Sequence, residues 1–316
     1  MTRFALLLLL AALGCAPGDP DAPPNDPAPE VADALASDLQ TRLASAGLKA
    51  VTLDVASGEG LEAYALANVS PSEGAYLVQW ADLGQVELEQ VLSAMVPAPE
   101  AEGFFYPAAP SPAFGMMRAD SVVAVARGGT GELLAVMNGA FLETPMQPST
   151  RLAFPVASGG EIVTGGSSPN GPGRPGARGR RWDQPLRALA MGTREVRIAD
   201  VDPASGAPLG ADAFADAFAS YAPEAHPTRR ATRFHVFGAL DRDGDGTTET
   251  LVAVTNDGTT SIEQTGAVLD ALGVAPEARI APDGGASVFV WNRSSGALHR
   301  PTGDQPLPHF LTLRLR

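Results

Sequence analysis

The stretch TNDGTTSIEQTGAVLDALGVAPEARIAPDGGAS, residues 255–287, places a helix between two strands and ends in a glycine-rich corner. Ser261 with Gln264 matches a capping box, and a glycine such as Gly273 is typical just beyond a helix end. One face of the predicted helix carries residues at helical spacing, namely Ile262, Thr265, Leu269 and Leu272. Apolar runs on both sides of Asp283-Gly284-Gly285 predict two strands joined by a tight turn. The stretch therefore predicts helices and strands within the same domain.

The remaining sequence is dominated by short segments with β-branched or alternating apolar residues, which are typical of strands. We predict strands over 49–56, 75–83, 121–128, 132–141, 151–157, 161–166, 195–201, 232–240 and 249–257. Helices are predicted over 31–47 and 211–222, while 86–96 suits either a helix or a strand. The expected fold class is mixed α/β of the α+β type, a strand-rich mixed sheet with a few packed helices.

The composition limits the classes of function. The chain has 316 residues, a formal net charge of −14 and 45% hydrophobic residues. This length suits one large domain with a tether, or two domains, and it allows a sizeable core. A nucleic-acid binder usually needs a basic face, so the acidic balance argues against nucleic-acid partners.

The N-terminus predicts export and lipidation. Residues 1–15, MTRFALLLLLAALGC, contain an early arginine, an unbroken apolar run and a final cysteine. This pattern is typical of a secretory signal that is too short to span a bilayer as a mature helix. Cys15 stands where bacterial lipoprotein signals are cut and lipidated, so we expect a membrane anchor through an N-terminal lipid. The alternative is an ordinary exported protein that loses Cys15 with its signal.

Two further consequences follow from this N-terminus. Ala16 suits a lipoprotein sent to the outer membrane, by resemblance to the sorting rule for such proteins. Cys15 is the single cysteine of the chain. No other cysteine therefore remains for a disulfide or a catalytic thiol.

The composition along the chain predicts four regions. After the signal, residues 16–30 are dominated by Pro, Asp and Ala, which predicts a disordered tether. Residues 31–73 form a helix and strand extension, either a small subdomain or an extra layer on the main sheet. Residues 74–316 form the main domain. Within it, the Gly-, Pro- and Ser-rich stretch 165–181 is a candidate anion contact or a solvated insertion, since it holds Arg174, Arg178, Arg180 and Arg181.

A cluster of acidic residues predicts a cation site. In LDRDGDGTTETLVAV, residues 240–254, three aspartates alternate before a glycine, and a glutamate follows. Hard cations such as Ca²⁺ prefer carboxylate ligands around a sharp glycine turn. The candidate ligands of a structural Ca²⁺ are Asp241, Asp243, Asp245 and Glu249. The alternative is an acidic hairpin turn, because Asp-Gly is a favourable turn pair.

Two short elements carry a family resemblance. MNGAF, residues 137–141, follows an apolar strand, and by propensity alone Asn138-Gly139 predicts only a hairpin turn. Together with the 255–287 stretch and the closing QPLPHFLTLRL, it resembles the phosphodiester glycosidase family, as a bacterial lipoprotein member. That family has an NGGF element first and an LDGGGS element later. Here Ala140, Ala286, Pro282 and Thr259 depart from the family pattern.

The resemblance implies a set of site residues. Asp283 is the first candidate for a catalytic or sugar-orienting carboxylate, and Asn138 is expected to hydrogen-bond the sugar or the phosphate. Asp257 and Glu143 are candidates for a second carboxylate, each with a turn or surface role as the alternative. The remaining candidates bind substrate: Gly139, Gly284 and Gly285 with the Ser287 hydroxyl as an anion nest, and Arg233 as a phosphate contact.

The implied activity is hydrolysis of a glycosyl-1-phosphodiester in envelope or exopolysaccharide glycans, through an oxocarbenium-like transition state. No cofactor is expected to be required for this chemistry, and the Ca²⁺ considered above would have a structural role. The expected partners are a glycan or sugar-phosphodiester substrate and a membrane. The alternative is a non-catalytic envelope lipoprotein that uses the same fold to bind a glycan or a partner.

Overall fold

The structure is a computed structural model that describes residues 41–52, 60–68, 74–143, 148–167, 185–201, 214–226, 228, 230–294 and 296–316. The chain divides into Met1–Asp38, which lies outside the described residues, and one compact unit, Leu39–Arg316. Within the described part of that unit, strands dominate and form four antiparallel sheets with a few helices. The predicted fold class, strand-rich α+β, is confirmed.

The strands are numbered in chain order, and the first sheet holds six of them. In spatial order sheet 1 contains β1 (Leu48–Thr52), β2 (Leu61–Asn68), β3 (Ala75–Asp82), β15 (Thr250–Asn256), β14 (His235–Leu240) and β16 (Arg279–Ile280). β2 pairs with β3 from Leu61 opposite Ala81 to Ala67 opposite Ala75. The described strands of the extension 31–73 therefore lengthen the main sheet of the compact unit.

Two five-stranded sheets and one small sheet complete the strands. Sheet 2 contains β10 (Glu161–Thr164), β9 (Val156–Ser158), β13 (Asp216–Tyr221), β11 (Leu186–Met191) and β12 (Val196–Asp200). Sheet 3 contains β18 (Gly296–His299), β17 (Val290–Asn292), β7 (Leu133–Asn138), β19 (His309–Leu315) and β4 (Val86–Leu92). Sheet 4 contains β5 (Met95–Val96), β6 (Ala113–Gly115) and β8 (Ser149–Thr150).

Three α-helical segments accompany the sheets in the described residues: α1 (residues 41–45), α2 (Ala119–Arg127) and α3 (Ile262–Ala271). α3 has the predicted capping box, in which the Ser261 side chain and the Gln264 side chain each bind the other residue's backbone N–H. Gly273 lies just beyond its end with a positive φ of 85°, as the sequence predicted. Among these described helices, none has the length and apolarity that crossing a membrane requires.

Two elements differ from their predicted secondary structure: one predicted strand is a helix, and one predicted helix contains a strand. Residues 121–128, predicted as a strand, cover most of α2 and its C-cap, and in this helix Val122 and Ala126 are buried while Val125 is 78% exposed. That one-sided burial is helical, and the run of β-branched residues does not outweigh it. Residues 211–222, predicted as a helix, contain β13. This strand lies between β9 and β11 and is buried on both faces, so it shows no alternation.

The main core joins the three large sheets, and Phe114 of sheet 4 also belongs to it. One apolar cluster combines Phe237 of sheet 1, Phe218 of sheet 2 and Met137 of sheet 3, all fully buried. A second cluster packs α3 against sheet 1, and a third packs α2 against sheet 3. Because sheets 1 and 3 share this core, the ends of their strands at β7, β14 and β16 come close together.

Candidate functional site

The corner after β16 crosses between sheets. β16 belongs to sheet 1 and β17 belongs to sheet 3, so the segment between them carries the chain from one sheet to the other. The sequence predicted two strands joined by a tight glycine corner. The structure has both strands and the corner, with Gly285 at a positive φ of 64°. The strands do not pair with each other, because they belong to different sheets.

Asn138, the last residue of β7, contacts this corner. Its side-chain Nδ2 donates to the carbonyl oxygen of Asp283 at 2.9 Å. Its Oδ1 accepts from the backbone N–H of Phe289 at 2.8 Å and lies 2.8 Å from His235 Nε2. The residue is 1% exposed. The described hydrogen bonds of the Asn138 side chain are therefore made with other protein groups. Its hydrogen bond to a sugar or a phosphate stays a prediction.

Gly139 also binds the main chain of Asp283. Its carbonyl oxygen accepts from the backbone N–H of Asp283 at 2.9 Å. The main chain of Asp283 is thus bound at its N–H by Gly139 and at its C=O by Asn138. A Cβ at Gly139 would collide with the His309 ring, so the close approach of that ring explains the glycine. The two elements that carry the resemblance are in direct contact.

The carboxyl group of Asp283 is buried, with 4% of the residue exposed. It accepts hydrogen bonds from the Ser287 side chain and the Gly284 backbone, whereas Oδ2 has no hydrogen-bond partner among the described residues. Burial raises the pKa of this carboxyl to about 7, and the two hydrogen bonds only partly oppose the shift. Asp283 therefore exchanges its proton near neutral pH, as a catalytic acid or base requires.

The backbone groups predicted to form an anion nest have internal partners. The N–H of Gly284 serves the Asp283 carboxyl, and the N–H of Gly285 donates to the carbonyl of Arg233 at 2.8 Å. The Ser287 hydroxyl also binds Asp283. In this structure these groups hold the corner and the carboxyl, and a role in binding an anion stays a prediction.

Arg233 and Asp257 lie beside the corner. Arg233 donates from one guanidinium nitrogen to the carbonyl of Arg300 at 3.2 Å. The Asp257 carboxylate accepts from the backbone N–H groups of Ala75 and Thr259, both at 2.9 Å. Burial alone would raise the pKa of Asp257, but these bonds and the one from the Thr259 hydroxyl lower it. Asp257 thus fixes its own loop.

His299 connects this area to the interior. Burial lowers the pKa of His299, the charge of Arg233 lowers it further, and Asp257 opposes both effects. Burial lowers the pKa of His235, and His299 lowers it further. Arg233 and Asp257 thus influence His299, and His299 influences the ring that contacts Asn138.

Glu143 is the second buried carboxylate. It is 4% exposed, and neither oxygen has a hydrogen-bond partner by distance and angle among the described residues. Burial raises its pKa, while nearby Ser167 and Arg151 act in the opposite direction. Its backbone N–H donates to the Arg151 carbonyl at 2.9 Å. Three residues separate it from Gly139 in the chain, and no described hydrogen bond joins it to the Asp283 corner.

The pKa of Asp283 predicts how stability depends on pH. Between the ordinary value of 3.8 and about 7, the folded protein holds a proton that the unfolded chain has lost. The free energy of unfolding therefore falls as pH rises through this window, by on the order of 4 kcal/mol for this group. We expect Asp283→Asn to gain in melting temperature relative to the parent between pH 4 and pH 8. An equal difference between the two proteins at both pH values would contradict the raised pKa.

The acidic loop brings three of its four predicted ligands together. Carboxylate oxygens of Asp241, Asp243 and Glu249 lie within 4.8 Å of one another. Asp245 is outside this group and accepts from the Thr247 N–H at 2.7 Å. Asp241 accepts from the N–H groups of Gly244 and Gly246. An acidic hairpin turn would have the same bonds, so they do not distinguish a Ca²⁺ site from such a turn.

Calcium binding at this loop stays a prediction with a direct check. If the three carboxylates bind Ca²⁺, millimolar calcium should raise the melting temperature over that in a chelator, because a ligand of the folded state stabilises it. Asp243→Ala should remove this increase, since it removes one oxygen ligand from the cluster. The same increase in Asp243→Ala, or no increase in the parent, would contradict the calcium prediction.

A cavity of about 450 Å³ lies elsewhere, lined by residues between Val96 and Ala113. None of the predicted site residues lines it. Cys15 and the arginines of the basic stretch, Arg174, Arg178, Arg180 and Arg181, lie outside the described residues. Two histidines contact the end of β7 and the segment that follows it: His235 binds Asn138 and His309 binds Ala140. The sequence assigned neither histidine to the site. No spacing pattern could have revealed them, because both contacts join distant parts of the chain.

Comparisons with known proteins give only distant likenesses. The sequence matches no protein-family model and no curated protein. A hypothetical protein from Synechocystis matches at a TM-score of 0.47 and 12% identity, over 85% of this chain and 64% of that one. This chain therefore spans less than two thirds of that protein. The zebrafish N-acetylglucosamine-1-phosphodiester alpha-N-acetylglucosaminidase catalytic domain, auto-inhibited by its pro-peptide, matches at 0.47 and 12%, over 85% and 88%. Both likenesses concern the fold alone.

Proposed function

We propose that this protein hydrolyses a glycosyl-1-phosphodiester, in glycans of the cell envelope or of an exopolysaccharide. One observation carries the proposal. The Asn138-Gly139 corner binds the main chain of Asp283 on both sides, and one oxygen of the buried carboxyl has no hydrogen-bond partner among the residues that the structure describes. The two elements on which the family resemblance rests therefore meet at a carboxyl group with a pKa of about 7.

The chemistry assigns a role to Asp283. Cleavage at the anomeric carbon passes through an oxocarbenium-like transition state. A phosphate leaving group departs without much protonation, so the step that needs help is the attack on the sugar. In its ionised form Asp283 can take a proton from the attacking water or stabilise the positive charge on the ring.

The remaining candidates divide by their contacts. Arg233 lies next to the corner, and a guanidinium has the fork geometry that suits bidentate binding of a phosphate. Of the two candidates for a second carboxylate, Glu143 fits better than Asp257. The Asp257 carboxylate is committed to Ala75 and Thr259, whereas the Glu143 carboxylate is buried with a raised pKa.

The test is release of free sugar from a panel of sugar-1-phosphodiesters that differ in sugar and in aglycone, with the full chain in detergent. Turnover of at least one substrate, with the phosphomonoester as second product, supports the proposal. Cleavage of the other ester bond, which gives a sugar-1-phosphate, would replace glycosidase chemistry by phosphodiesterase chemistry. No release from any substrate by folded protein would reject hydrolysis.

The second candidate function is glycan binding without turnover. It is favoured by Asn138, whose described hydrogen bonds all go to the protein. Binding of a sugar-1-phosphodiester by calorimetry, without any release of sugar over days, would establish this alternative.

We further propose that the protein is exported and lipid-anchored through Cys15, in the outer membrane. The support is the sequence of residues 1–15 alone. A radiolabelled fatty acid should label the expressed protein and should not label Cys15→Ser, because the thiol is the site of lipid attachment. Equal labelling of both proteins, or labelling of neither, would reject the anchor.

A further inference from the structure

His309 contacts the Asn138-Gly139-Ala140 corner through one ring nitrogen. Nδ1 accepts a hydrogen bond from the backbone N–H of Ala140 at 2.6 Å. Since a backbone N–H can only donate, Nδ1 carries no proton. Nε2 lies 3.1 Å from Gln90 Oε1, and Gln90 Nε2 donates to the Ala157 carbonyl at 2.9 Å. The Gln90 amide is thereby oriented so that its oxygen accepts from His309 Nε2–H.

His235 contacts the same corner from another sheet. Asn138 is oriented by its backbone partners, because Oδ1 accepts from Phe289 and Nδ2 donates to Asp283. His235 Nε2 must therefore donate to Asn138 Oδ1. Its Nδ1 lies 2.7 Å from Thr255 Oγ1 and accepts the hydroxyl proton. Both rings thus have the same tautomer, with the proton on Nε2.

The two rings bind residues on either side of Gly139, and the Asn138-Gly139-Ala140 corner binds Asp283. His309 fixes Ala140, His235 fixes Asn138, and the residues Asn138 and Gly139 bind the C=O and N–H of Asp283. We propose that His309 and His235 are positioning residues for Asp283, which they hold in place through the Asn138-Gly139-Ala140 corner as Nε2-protonated rings. The catalytic part of this inference rests on the proposed function, while the positioning part rests on the hydrogen bonds alone.

Burial supports the assignment. His309 is 1% exposed and His235 is fully buried. Burial lowers the pKa of both rings to about 3, so they stay uncharged over the range in which Asp283 titrates. The corner also packs tightly on the His309 ring, since a Cβ at Gly139 would collide with it. A charged His309 would place an N–H against the Ala140 N–H and break this contact.

The tautomers can be measured directly. The chain has four histidines, so the ring nitrogen spectrum of the full ¹⁵N-labelled chain contains four systems that single substitutions can assign. We expect His235 and His309 to show the Nε2–H tautomer and no titration between pH 5 and pH 8. A proton on Nδ1 of His309, or titration of that ring in this range, would overturn the proposal.

Matched substitutions test the positioning. His309→Asn keeps a side-chain oxygen where Nδ1 stands, whereas His309→Leu removes the acceptor. We expect His309→Leu to change the titration midpoint of Asp283, followed by ¹³C NMR of labelled aspartate, and His309→Asn to retain the parent value. Unchanged titration in a folded His309→Leu protein would overturn the proposal. If His309→Leu does not fold, the tautomer measurement and His309→Asn decide.

Enzyme activity is a second measurement, and it separates the positioning role of the histidines from the proposed hydrolysis. If the parent hydrolyses a sugar-1-phosphodiester, His309→Leu should lower kcat at least tenfold, with KM within about threefold. His309→Asn should recover most of that loss. If the parent shows no turnover, the proposed function fails, whereas the tautomers and the Asp283 titration still test the positioning by themselves.

Discussion

Asp283→Asn should lower the rate of sugar release by about 100-fold to 10,000-fold, which is the usual contribution of a positioned acid or base. The amide has the shape of the carboxyl and can still accept from Ser287 and Gly284, the two partners of Asp283. The loss of rate would therefore result from the missing charge and not from a changed conformation of the segment that contains Asp283. The measurement is kcat and KM on the substrate that the parent cleaves best.

A surface aspartate provides the control. Asp120 is on α2, its side chain is 71% exposed, and it pairs with Arg300. Asp120→Asn should retain the parent rate, because exposed ion pairs contribute little to stability. If Asp283→Asn keeps more than about a tenth of the parent kcat, Asp283 is not the catalytic acid or base.

The pH profile of the parent shows which form of Asp283 acts. With a pKa of about 7, the ionised form increases as pH rises through neutrality. If Asp283 acts as a base or as a charge stabiliser, kcat/KM should rise with pH and level off above that value. A rate that falls through the same region would assign the protonated form and make Asp283 a general acid.

Asn138→Ala should lower the free energy of unfolding by about 3 kcal/mol or more, because it leaves buried partners without a hydrogen bond. Those partners are the N–H of Phe289, the Nε2–H of His235 and the carbonyl of Asp283. For a domain of this size the melting temperature should fall by roughly 6–12 °C. Asn138→Asp should also destabilise, since it places a carboxylate oxygen against the Asp283 carbonyl.

Asn256 is a matched control for the Asn138 variants. It ends β15, is fully buried, and accepts from the Phe234 N–H while donating to the Thr260 carbonyl. Asn256→Ala should destabilise the protein to a similar extent, since it also leaves buried groups unpaired. Only Asn138→Ala should change the titration of Asp283, which Asn138 contacts directly. A parent-like melting temperature for Asn138→Ala would show that the contact contributes little.

Features with a local physical cause were predictable from the sequence. Helix α3 begins at a capping box and ends before a glycine, and both signals lie within a few residues of the helix. The strands with alternating or apolar runs, such as β3 and β15, were also predicted. The failures have a common cause, because α2 and β13 contain runs whose burial depends on distant partners. Val125 of α2 faces solvent, and β13 is covered on both faces.

The sequence by itself determined the fold class, the capped helix, the candidate Asp283 and the candidate Asn138, because these follow from local patterns and from the motif resemblance. Only the tertiary structure decided that Asn138 binds Asp283, across a separation of 145 residues. It also decided that His235 and His309 contact the Asn138-Gly139-Ala140 corner and that the Asp283 carboxyl is buried. A pKa depends on desolvation and on neighbours in space. At Asp283 the hydrogen bonds that lower the pKa come from Gly284 and Ser287, which are close in the chain. The burial that raises it involves residues far apart in the chain, such as Asn138 and Gly139, so sequence spacing could not reveal the shift.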